Sequence, residues 1–223
     1  MNDQEWGKFK EAFVSNVADT KIFMNGVEEY FATHPNLRRE NKSVIHSTKK
    51  RIKDIDHLRD KIERKNAVGR DITPENLFHK VTDIAGVRIL LLFQGHFSVV
   101  DNAIRRKIEN GDWVFNESPK AFTWDPEASR FFSSFDVEVQ TRDTFYTSVH
   151  YLIKPRKESH VCCEIQVRTL FEEIWGEIDH MINYPHKTDN ASCKEQLMVL
   201  SKIVGAGSRL VDSIQRSIEE NNL

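Results

Sequence analysis

Three polar side chains share one face of a predicted β-strand, and their types mark that face as a candidate site. Within residues 161–169, apolar residues alternate with polar ones, which is the period of an extended segment. Glu164, Gln166 and Arg168 therefore point to the same side. A strand buried only for packing would carry apolar residues on both faces. The alternative interpretation is an edge strand whose polar face is simply hydrated.

A second carboxylate and a second arginine lie at the start of another predicted strand. Residues 87–93 are dense in branched apolar side chains, which favours a central, buried strand. Asp83 precedes this strand and Arg88 is the single charge within it. A buried arginine is costly unless it meets an anion, a carboxylate or a flat ring. The alternative is a salt bridge between Asp83 and Arg88 that fixes the turn.

A tyrosine, a serine and a histidine share one face of a third predicted strand. Residues 142–153 have the pattern of an extended segment, which places Tyr146, Ser148 and His150 on one side. Together they offer a ring for stacking and two hydrogen-bonding groups. The alternative is a histidine whose hydrogen bonds are satisfied within the core.

Residues 42–66 are predicted to form a helix with one basic side. The apolar residues at helical spacing are Ile45, Thr48, Ile52, Ile55, Leu58 and Ile62. Four basic residues follow one another at intervals of four: Lys53, His57, Lys61 and Lys65. A continuous basic ridge suits a polyphosphate, which needs several cations within reach. The alternative is a solvated helix face.

The elements that position these residues mix helices with strands. Residues 4–33 have the spacing of one or two amphipathic helices, and residues 98–108 that of a surface helix. Residues 109–140 are irregular and rich in aromatic side chains, which form either a local core or a lid or partner surface. Thr169 is predicted to cap a helix, whose apolar stripe is Leu170, Ile174, Ile178, Met181 and Ile182. Further amphipathic helices follow, with a break at Gly205 and Gly207.

The bulk composition excludes several classes of protein. The 223 residues are 39% apolar and 30% charged, and the formal net charge of −2 gives no overall basic signature of nucleic-acid binding. The three cysteines have neither disulfide nor zinc spacing, which favours a reducing compartment. The N-terminus is unlike a signal peptide and the longest apolar run is too short to cross a bilayer. We therefore expect a cytoplasmic protein without a membrane partner.

The order of these motifs resembles that of the RelA/SpoT alarmone synthetase family, and in particular its small single-domain members. The resemblance covers roughly residues 45–187 and rests on five motifs in sequence order. These motifs are Arg51-Ile52-Lys53 with Lys61, the stretch from Asp83 to Arg88, the stretch from Tyr146 to His150, the stretch from Glu164 to Thr169, and the stretch from Trp175 to Tyr184.

The resemblance implies an α/β (α+β) fold, with a nucleotidyltransferase-like mixed β-sheet flanked by helices and helical extensions at both ends. We expect an N-terminal helical segment in residues 1–40 and C-terminal helices in residues 189–223. The synthetase domain would occupy residues 41–188, with residues 109–140 as an aromatic-rich insertion. Because C-terminal helices of this kind assemble small family members, we also expect a homo-oligomer.

The resemblance further implies an enzyme, an ATP:GTP 3′-diphosphotransferase (GTP diphosphokinase). Such an enzyme transfers the β,γ-pyrophosphate of ATP to the 3′-hydroxyl of GDP or GTP and leaves AMP. Phosphoryl-type transfer needs positioned cations, a metal and an oriented hydroxyl, and not a protein nucleophile. The chain offers basic residues and two separated carboxylates, and it has no G-x-x-x-x-G-K-[ST] loop.

The resemblance also assigns roles on the ATP side of the site. Asp83 and Glu164 would hold Mg²⁺ as the cofactor, and Glu164 would accept the proton of the 3′-hydroxyl. Arg51 and Arg88 would enclose the adenine ring between two planar guanidinium groups. The residues expected to hold the phosphates are Lys53, Lys61 and Arg142.

On the acceptor side, Tyr146 would stack on the guanine base. His150, Gln166 and Arg168 would line the acceptor pocket together with Arg142. The residues expected to support this pocket are Ser148 and His180.

Departures from the family pattern leave the acceptor open. They are His57 in place of a usual Ser, Phe145 in place of a Gly, Pro185 in place of a Lys, and the long segment 109–140. Phe145 and that segment lie beside the expected acceptor site. The resemblance also implies the alternatives to GDP or GTP, because toxic branches of the family act on an adenine nucleotide or on the 3′ end of tRNA. In the second case, tRNA would be the one nucleic-acid partner. A catalytically silent binding module is disfavoured because Asp83 and Glu164 are both present.

Overall fold

A mixed β-sheet organises the chain. The computed structural model describes residues 1–38, 43–184 and 187–221. Its strands are β1 (Ile45–Ile52), β2 (Ala85–Leu91), β3 (Val114–Phe115), β4 (Lys120–Thr123), β5 (Glu138–Thr141), β6 (Ser148–Lys154) and β7 (Cys163–Thr169). Across these described residues the strand order is β1-β2-β7-β6-β4-β5, and β3 pairs with β6. The prediction of a mixed sheet flanked by helices is confirmed.

Helices surround this sheet. They are α1 (Asp3–Thr33), α2 (Ile55–Ala67), α3 (Leu77–Lys80), α4 (Phe97–Glu109), α5 (Pro126–Phe132), α6 (Leu170–Asn183) and α7 (Ala191–Glu220). Helical extensions are therefore present at both ends, as predicted. The predicted boundary between residues 40 and 41 lies outside the described residues. Within the described part of the chain, no helix combines the length and the apolar character needed to span a bilayer.

One face of the sheet forms the main apolar core. On β2, β6 and β7 every second residue points into this core: Val87, Ile89, Val149, Tyr151, Ile165 and Val167. α1 and α4 cover this face with their own buried side chains, and Tyr151 donates a hydrogen bond of 2.7 Å to Asp101 of α4. The opposite face of the same strands is consequently left to the polar residues.

The strand predicted in residues 161–169 lies inside the sheet and not at its edge. β7 pairs in parallel with β2 and antiparallel with β6, so the edge-strand interpretation is wrong. Its polar face is a feature of an inner strand, where hydration alone does not account for it. This placement strengthens the case for a site on that face.

The helix predicted over residues 42–66 is wrong in its first half. Ile45–Ile52 forms strand β1, which pairs antiparallel with β2 at the sheet edge. Its lysines and arginine suit an edge strand, because exposed charges discourage pairing with another chain. The helix begins only at Ile55, after Asp54 caps it by accepting hydrogen bonds from the backbone amides of Asp56 and His57.

The aromatic segment 109–140 is more regular than predicted, since it contains β3, β4, α5 and β5. Most of its aromatic side chains pack into or against the main core: Trp113, Phe115, Phe131, Phe132 and Phe135. Phe122 and Trp124 remain partly exposed. The local-core interpretation therefore holds for most of the segment.

The apolar stripe predicted on α6 is not its buried face, since two of its five residues are exposed and the other three are partly buried. Ile174 is 54% exposed and Met181 is 75% exposed, whereas the buried residues of α6 are Glu172, Glu173 and Trp175. α6 lies against the polar face of the sheet, so polar side chains are the ones it buries. The capping role predicted for Thr169 is confirmed, because its side chain accepts a hydrogen bond from the backbone of Glu172.

The break predicted at Gly205 and Gly207 does not occur, because α7 is continuous. Both glycines instead allow close approach. A Cβ at Gly207 would lie 2.7 Å from the ring of Phe171, and one at Gly205 would lie 3.0 Å from Asp125. The absence of a side chain at these positions is what lets α7 pack against α6 and the start of α5.

Glu172 completes the N-terminal cap of α6 and is itself buried. Its Oε2 accepts a hydrogen bond of 2.6 Å from the backbone amide of Thr169. Burial raises the pKa of Glu172 to about 7, and Asp212 adds to the rise; hydrogen bonds from Thr169 and the charge of Arg168 oppose it. The folded state therefore holds a proton that the unfolded state releases at lower pH. Stability from Glu172 is full below its unfolded pKa and is lost as the pH rises through 7.

We expect Glu172→Gln to remove this pH dependence. Glutamine also serves at this position of a capping box, so the cap persists without a titrating group. Between pH 5 and pH 8, wild-type protein should lose about 2 kcal/mol more unfolding free energy than Glu172→Gln. Urea unfolding across this range measures the difference. Parallel curves for the two proteins would show that Glu172 does not titrate in this window.

Candidate active site

Asp83 and Glu164 line one cleft on the polar face of the sheet. The parallel register places Gly86 opposite Glu164 and Arg88 opposite Gln166. The cleft has a volume of about 140 Å³. Its other charged lining residues are Lys49, Lys50, Arg51 and Arg88. The two predicted carboxylates and both predicted adenine-binding arginines are therefore brought together.

Asp83 is held by two lysines. Its Oδ2 forms an ion pair of 3.3 Å with Lys53 and a second ion pair with Lys61 of α2. Burial alone would raise the pKa of Asp83, but the charges and hydrogen bonds of Lys61 and Lys53 lower it to about 2. The other oxygen, Oδ1, is buried and has no hydrogen-bond partner among the described residues. Asp83 is thus a carboxylate at neutral pH with one oxygen free for a further ligand.

Glu164 stands at the end of a hydrogen-bonded chain. The hydroxyl of Tyr146 lies 3.0 Å from His150 Nε2, and His150 Nδ1 lies 3.0 Å from Glu164 Oε1. Gln166 donates a hydrogen bond of 2.6 Å to Glu164 Oε2. Burial would raise the pKa of Glu164, but the hydrogen bond and charge of His150 outweigh it and lower the pKa. Glu164 is therefore ionised and oriented at both oxygens.

A second cleft adjoins the first one at Asp83 and has a volume of about 420 Å³. It is lined by both cations and carboxylates, together with two rings: Lys53, Lys61, Arg64, Asp60, Glu63, Asp83, His57 and Tyr184. The prediction of a single helical ridge is wrong, because Lys53 precedes α2. Lys53 and Lys61 nevertheless converge on the same carboxylate. The two lysines expected to bind a polyphosphate therefore come from different elements: Lys53 from the connection between β1 and α2, and Lys61 from α2.

Arg88 finds its carboxylate partners on α6. Its Nη1 lies 3.2 Å from Glu173 and 2.6 Å from Glu177. The alternative of a salt bridge between Asp83 and Arg88 is therefore wrong, since Asp83 is paired with lysines. The expectation that a buried arginine needs a counter-charge is met by a helix distant in sequence.

Tyr146 reaches the site from a connection and not from a strand. β6 begins at Ser148, so the extended segment predicted from residue 142 is wrong up to that point. The guanidinium carbon of Arg168 lies 5.8 Å above the Tyr146 ring. Ser148 is fully buried and donates a hydrogen bond of 3.4 Å to the carbonyl of Val167, which ties β6 to β7.

Two predicted site residues lie at the margins. Arg142 stacks over the ring of Phe122 at 4.2 Å, and Phe122 in turn contacts His150. His180 stacks on Tyr184 with ring centroids 4.5 Å apart, and Tyr184 lines the second cleft. His180 therefore lies on the side of Lys53 and Lys61.

Three residues of α6 were missed by the sequence analysis. Glu173 pairs with Lys49, Arg88 and Arg168, and Glu177 pairs with Arg88. Gly176 faces Arg168, where an added Cβ would lie 2.7 Å from Nη1. A glycine within a predicted helix was the one local signal available. The acidic residues gave none, because their partners lie far away in the sequence.

The positions that depart from the family pattern have identifiable contacts. Phe145 packs edge-on against Trp124 with ring centroids 5.3 Å apart. His57 packs edge-on against Tyr184 at 4.8 Å. Pro185 lies outside the described residues. The wall beside Tyr146 is thus built from large aromatic side chains.

The cysteines take no part in this site as nucleophiles. All three are free, and Cys162 and Cys163 are buried. Burial raises the pKa of Cys162 to about 12 and also raises that of Cys163. A thiolate is the reactive form of cysteine, so these two side chains are chemically inert at neutral pH.

Comparison with known proteins identifies related sequences. A family model described as a region found in RelA/SpoT proteins matches residues 50–189. The chain is 24% identical to GTP pyrophosphokinase YjbM of Bacillus subtilis (strain 168), over 94% of this chain and 87% of that protein. It is 25% identical to GTP pyrophosphokinase YwaC of the same organism, over 79% of this chain and 73% of that protein.

Solved structures share the fold. Small alarmone synthetase 1 from Bacillus subtilis superposes with a TM-score of 0.66 at 20% identity, over 98% of this chain and 100% of that chain. The same protein bound to its product pppGpp gives a TM-score of 0.63, at 20% identity over 99% of this chain and 100% of that chain. The structure of that protein bound to AMPCPP gives a TM-score of 0.58, at 21% identity over 98% of this chain and 100% of that chain.

Proposed function

The chain belongs to the RelA/SpoT family, and on that basis we propose that it is a GTP pyrophosphokinase that makes (p)ppGpp. It transfers the β,γ-pyrophosphate of ATP to the 3′-hydroxyl of GDP or GTP. The observation that carries this proposal is the shared cleft of Asp83 and Glu164, which is surrounded by cations. The relatives that match most of the chain are named as GTP pyrophosphokinases.

The proposed transfer forms one bond at the β-phosphorus and breaks another. A bond forms between the acceptor 3′-oxygen and the β-phosphorus, and the bond from that phosphorus to the α,β-bridging oxygen breaks. AMP leaves with the bridging oxygen. Glu164 receives the hydroxyl proton, since it is ionised and held in position by His150 and Gln166. Positioned cations, and not a covalent protein intermediate, stabilise the charge that develops.

The ATP side of the site combines the two adjoining clefts. Arg51 and Arg88 line the first cleft and present planar guanidinium groups suited to the faces of adenine. Lys53 and Lys61 line the second cleft and would bind the phosphates. Both lysines already hold Asp83, so the phosphates approach a carboxylate that is neutralised in advance.

The acceptor side is built around the Tyr146 ring. Stacking of the guanine on Tyr146 would bring the 3′-hydroxyl towards Glu164, since His150 links the two residues. Gln166 and Arg168 lie on the same face of β7. Arg142 is placed at the rim, over Phe122, where it suits the acceptor phosphates.

Mg²⁺ fits the carboxylates of the first cleft. Within the described residues no group of three or more histidine, cysteine or acidic side chains could hold a metal. Mg²⁺ does not need one, because it is commonly held by one or two carboxylates together with substrate phosphates. Asp83 has a buried oxygen without a partner, and Glu164 lines the same cleft. When bound, the ion would neutralise charge on the transferred pyrophosphate.

An acceptor panel tests the proposed function. Purified protein is incubated with ATP labelled in the β,γ-phosphates, Mg²⁺ and one acceptor at a time: GDP, GTP, ADP, ATP alone or tRNA. We expect label on GDP and GTP, with AMP formed in equal amount. Label on an adenine nucleotide or tRNA instead would assign the enzyme a different acceptor. These acceptors are included because the contact between Phe145 and Trp124 alters the wall of the acceptor site.

Glu164→Gln is the control for this panel. The substitution keeps the size of the side chain and removes the proton acceptor. We expect transfer to fall by about 10²-fold or more, the scale of general-base catalysis. Thermal unfolding should show an intact fold. A fully active Glu164→Gln protein would contradict the role given to Glu164.

The metal assignment predicts a specific defect in Asp83→Asn. Chelation of Mg²⁺ should abolish transfer by the wild-type enzyme. In Asp83→Asn, the Mg²⁺ concentration needed for half-maximal rate should rise by at least the ~10-fold typical of weakened metal sites. Rate measurements across a Mg²⁺ titration give this value for each protein. An unchanged Mg²⁺ requirement would exclude Asp83 as a ligand.

We also propose that the exposed apolar faces of α6 and α7 are covered by a second copy of the chain. The side chains concerned are Ile174, Met181, Val199, Ile203, Leu210, Ile214 and Ile218, which are at least 42% exposed. Those of α7 recur at intervals of four and seven residues, which places them on one face of the helix. Exposed apolar patches of this kind mark protein interfaces.

Light scattering after size exclusion should give a mass of at least twice the 26.0 kDa of the chain. The pair Ile203→Glu and Leu210→Glu should lower that mass without unfolding the protein, since both side chains are exposed. Val14→Glu on α1 is the matched control, because Val14 is 68% exposed but lies on another helix. A monomeric wild-type protein would contradict the proposal.

The free cysteines suit a reducing compartment such as the cytoplasm. Exposed or paired cysteines of secreted proteins are normally oxidised, whereas none of the three here is bonded to another. A reducing compartment is consistent with an enzyme that uses ATP and GDP or GTP.

A further inference from the structure

Glu173 joins three cations from three strands. Its Oε1 lies 2.8 Å from Lys49 of β1 and 3.2 Å from Arg88 of β2. Its Oε2 forms an ion pair with Arg168 of β7. One carboxylate thus faces the ATP side of the site with one oxygen and the acceptor side with the other. No other carboxylate in the described residues pairs with an arginine on each side.

Glu173 remains charged in this position. It is 5% exposed, and burial would raise its pKa. The hydrogen bond from Lys49 and the charges of Arg168 and Arg88 outweigh burial and lower the pKa. The ion pairs therefore persist through the neutral range, and they are stronger than surface pairs because solvent screens them less.

Arg168 depends on Glu173 for its position over Tyr146. Arg168 is 4% exposed, and its Nε has no hydrogen-bond partner among the described residues. Its guanidinium lies between the Tyr146 ring and the backbone of Gly176. Arg168 therefore has an ion pair with Glu173 and a ring contact with Tyr146, and it lies close to Gly176. Of these, only the ion pair leads towards the ATP side.

We propose that Glu173 is a positioning residue that couples the two nucleotide sites, so that ATP and the acceptor each bind more tightly when the other is present. This inference rests on the proposed function. A base stacked on Tyr146 fixes that ring and the Arg168 guanidinium that contacts it. Glu173 then keeps the one position in which it pairs with Arg168. Because Arg88 pairs with the same carboxylate, Arg88 is held in place as well. The second nucleotide meets an ordered site and gives up less conformational entropy on binding.

Glu177 provides a matched control for Glu173. It pairs with Arg88 at 2.6 Å, and within the part of the chain that the structure describes it has no ion pair with Arg168 or Lys49. Glu177→Gln therefore weakens the hold on Arg88 without cutting the link to the acceptor side. We expect this variant to bind an ATP analogue less tightly and to keep the coupling.

Gly176→Ala breaks the link without removing any charge. Its new Cβ would lie 2.7 Å from Arg168 Nη1, the far end of a flexible side chain, so Arg168 must shift. Alanine is favourable within a helix, so the fold is preserved. This variant keeps the proposal testable if Glu173→Gln fails to fold, because a buried arginine left unpaired is strongly destabilising.

The experiment measures the dissociation constant of a non-hydrolysable ATP analogue with and without saturating GDP. Wild-type protein should bind the analogue at least about fivefold more tightly with GDP present, within the usual range of coupling between sites. In Glu173→Gln and Gly176→Ala, the ratio of the dissociation constant without GDP to that with GDP should fall to about one. In Glu177→Gln the ratio should stay near the wild-type value, although the analogue binds more weakly overall. By reciprocity, GDP affinity should show the same ratios.

The outcomes separate this inference from the proposed function. Wild-type protein that binds both nucleotides with a ratio of one overturns the coupling and leaves the function standing. The coupling is also overturned if Glu173→Gln or Gly176→Ala keeps the wild-type ratio and thermal unfolding shows that the variant is folded. Wild-type protein that binds neither GDP nor the analogue overturns both. Loss of the ratio in Glu177→Gln as well would reassign the effect to Arg88 alone.

Discussion

The parallel pairing of β2 with β7 is the constraint on which the site depends. Its register sets Gly86 beside Glu164 and Arg88 beside Gln166, so the polar residues of both strands emerge on one face. The same register sends Val87, Ile89, Ile165 and Val167 into the core. A slip of one residue would exchange the two faces and bury the carboxylate in the apolar layer. Fold and site are therefore specified by the same hydrogen bonds.

The cations of the site are stable because carboxylates hold them before any nucleotide arrives. Asp83 holds Lys53 and Lys61, and Glu173 holds Arg88 and Arg168. A buried charge without a partner costs about 3–5 kcal/mol, so the cluster could not fold as bare cations. Phosphates and bases then compete with protein carboxylates and not with water. Once both nucleotides are bound, the arrangement gives an ordered site whose charges need little reorganisation during transfer.

The sequence was sufficient for the strands whose pattern is local. Period-two alternation located the polar face of β7, and a run of branched apolar residues located the buried strand that carries Arg88. Capping chemistry placed the start of α6 at Thr169. It failed where the deciding partner is remote. Ile45–Ile52 has helical spacing, yet pairing with β2 makes it a strand. The buried face of α6 was assigned wrongly, because the surface it meets is polar and apolar residues are left outside.

The strand order separates the two halves of the active site along the chain. The residues proposed for ATP come from β1, the connection to α2, α2 itself and β2, all before residue 92. Arg142 and Tyr146 come from the connection between β5 and β6, and His150 comes from β6. β7 lies between these halves and gives Glu164 to both. Point changes in the later segment can alter the acceptor wall while the earlier one stays intact. The architecture thus allows acceptor preference to diverge during evolution under constant selection for the same phosphate donor.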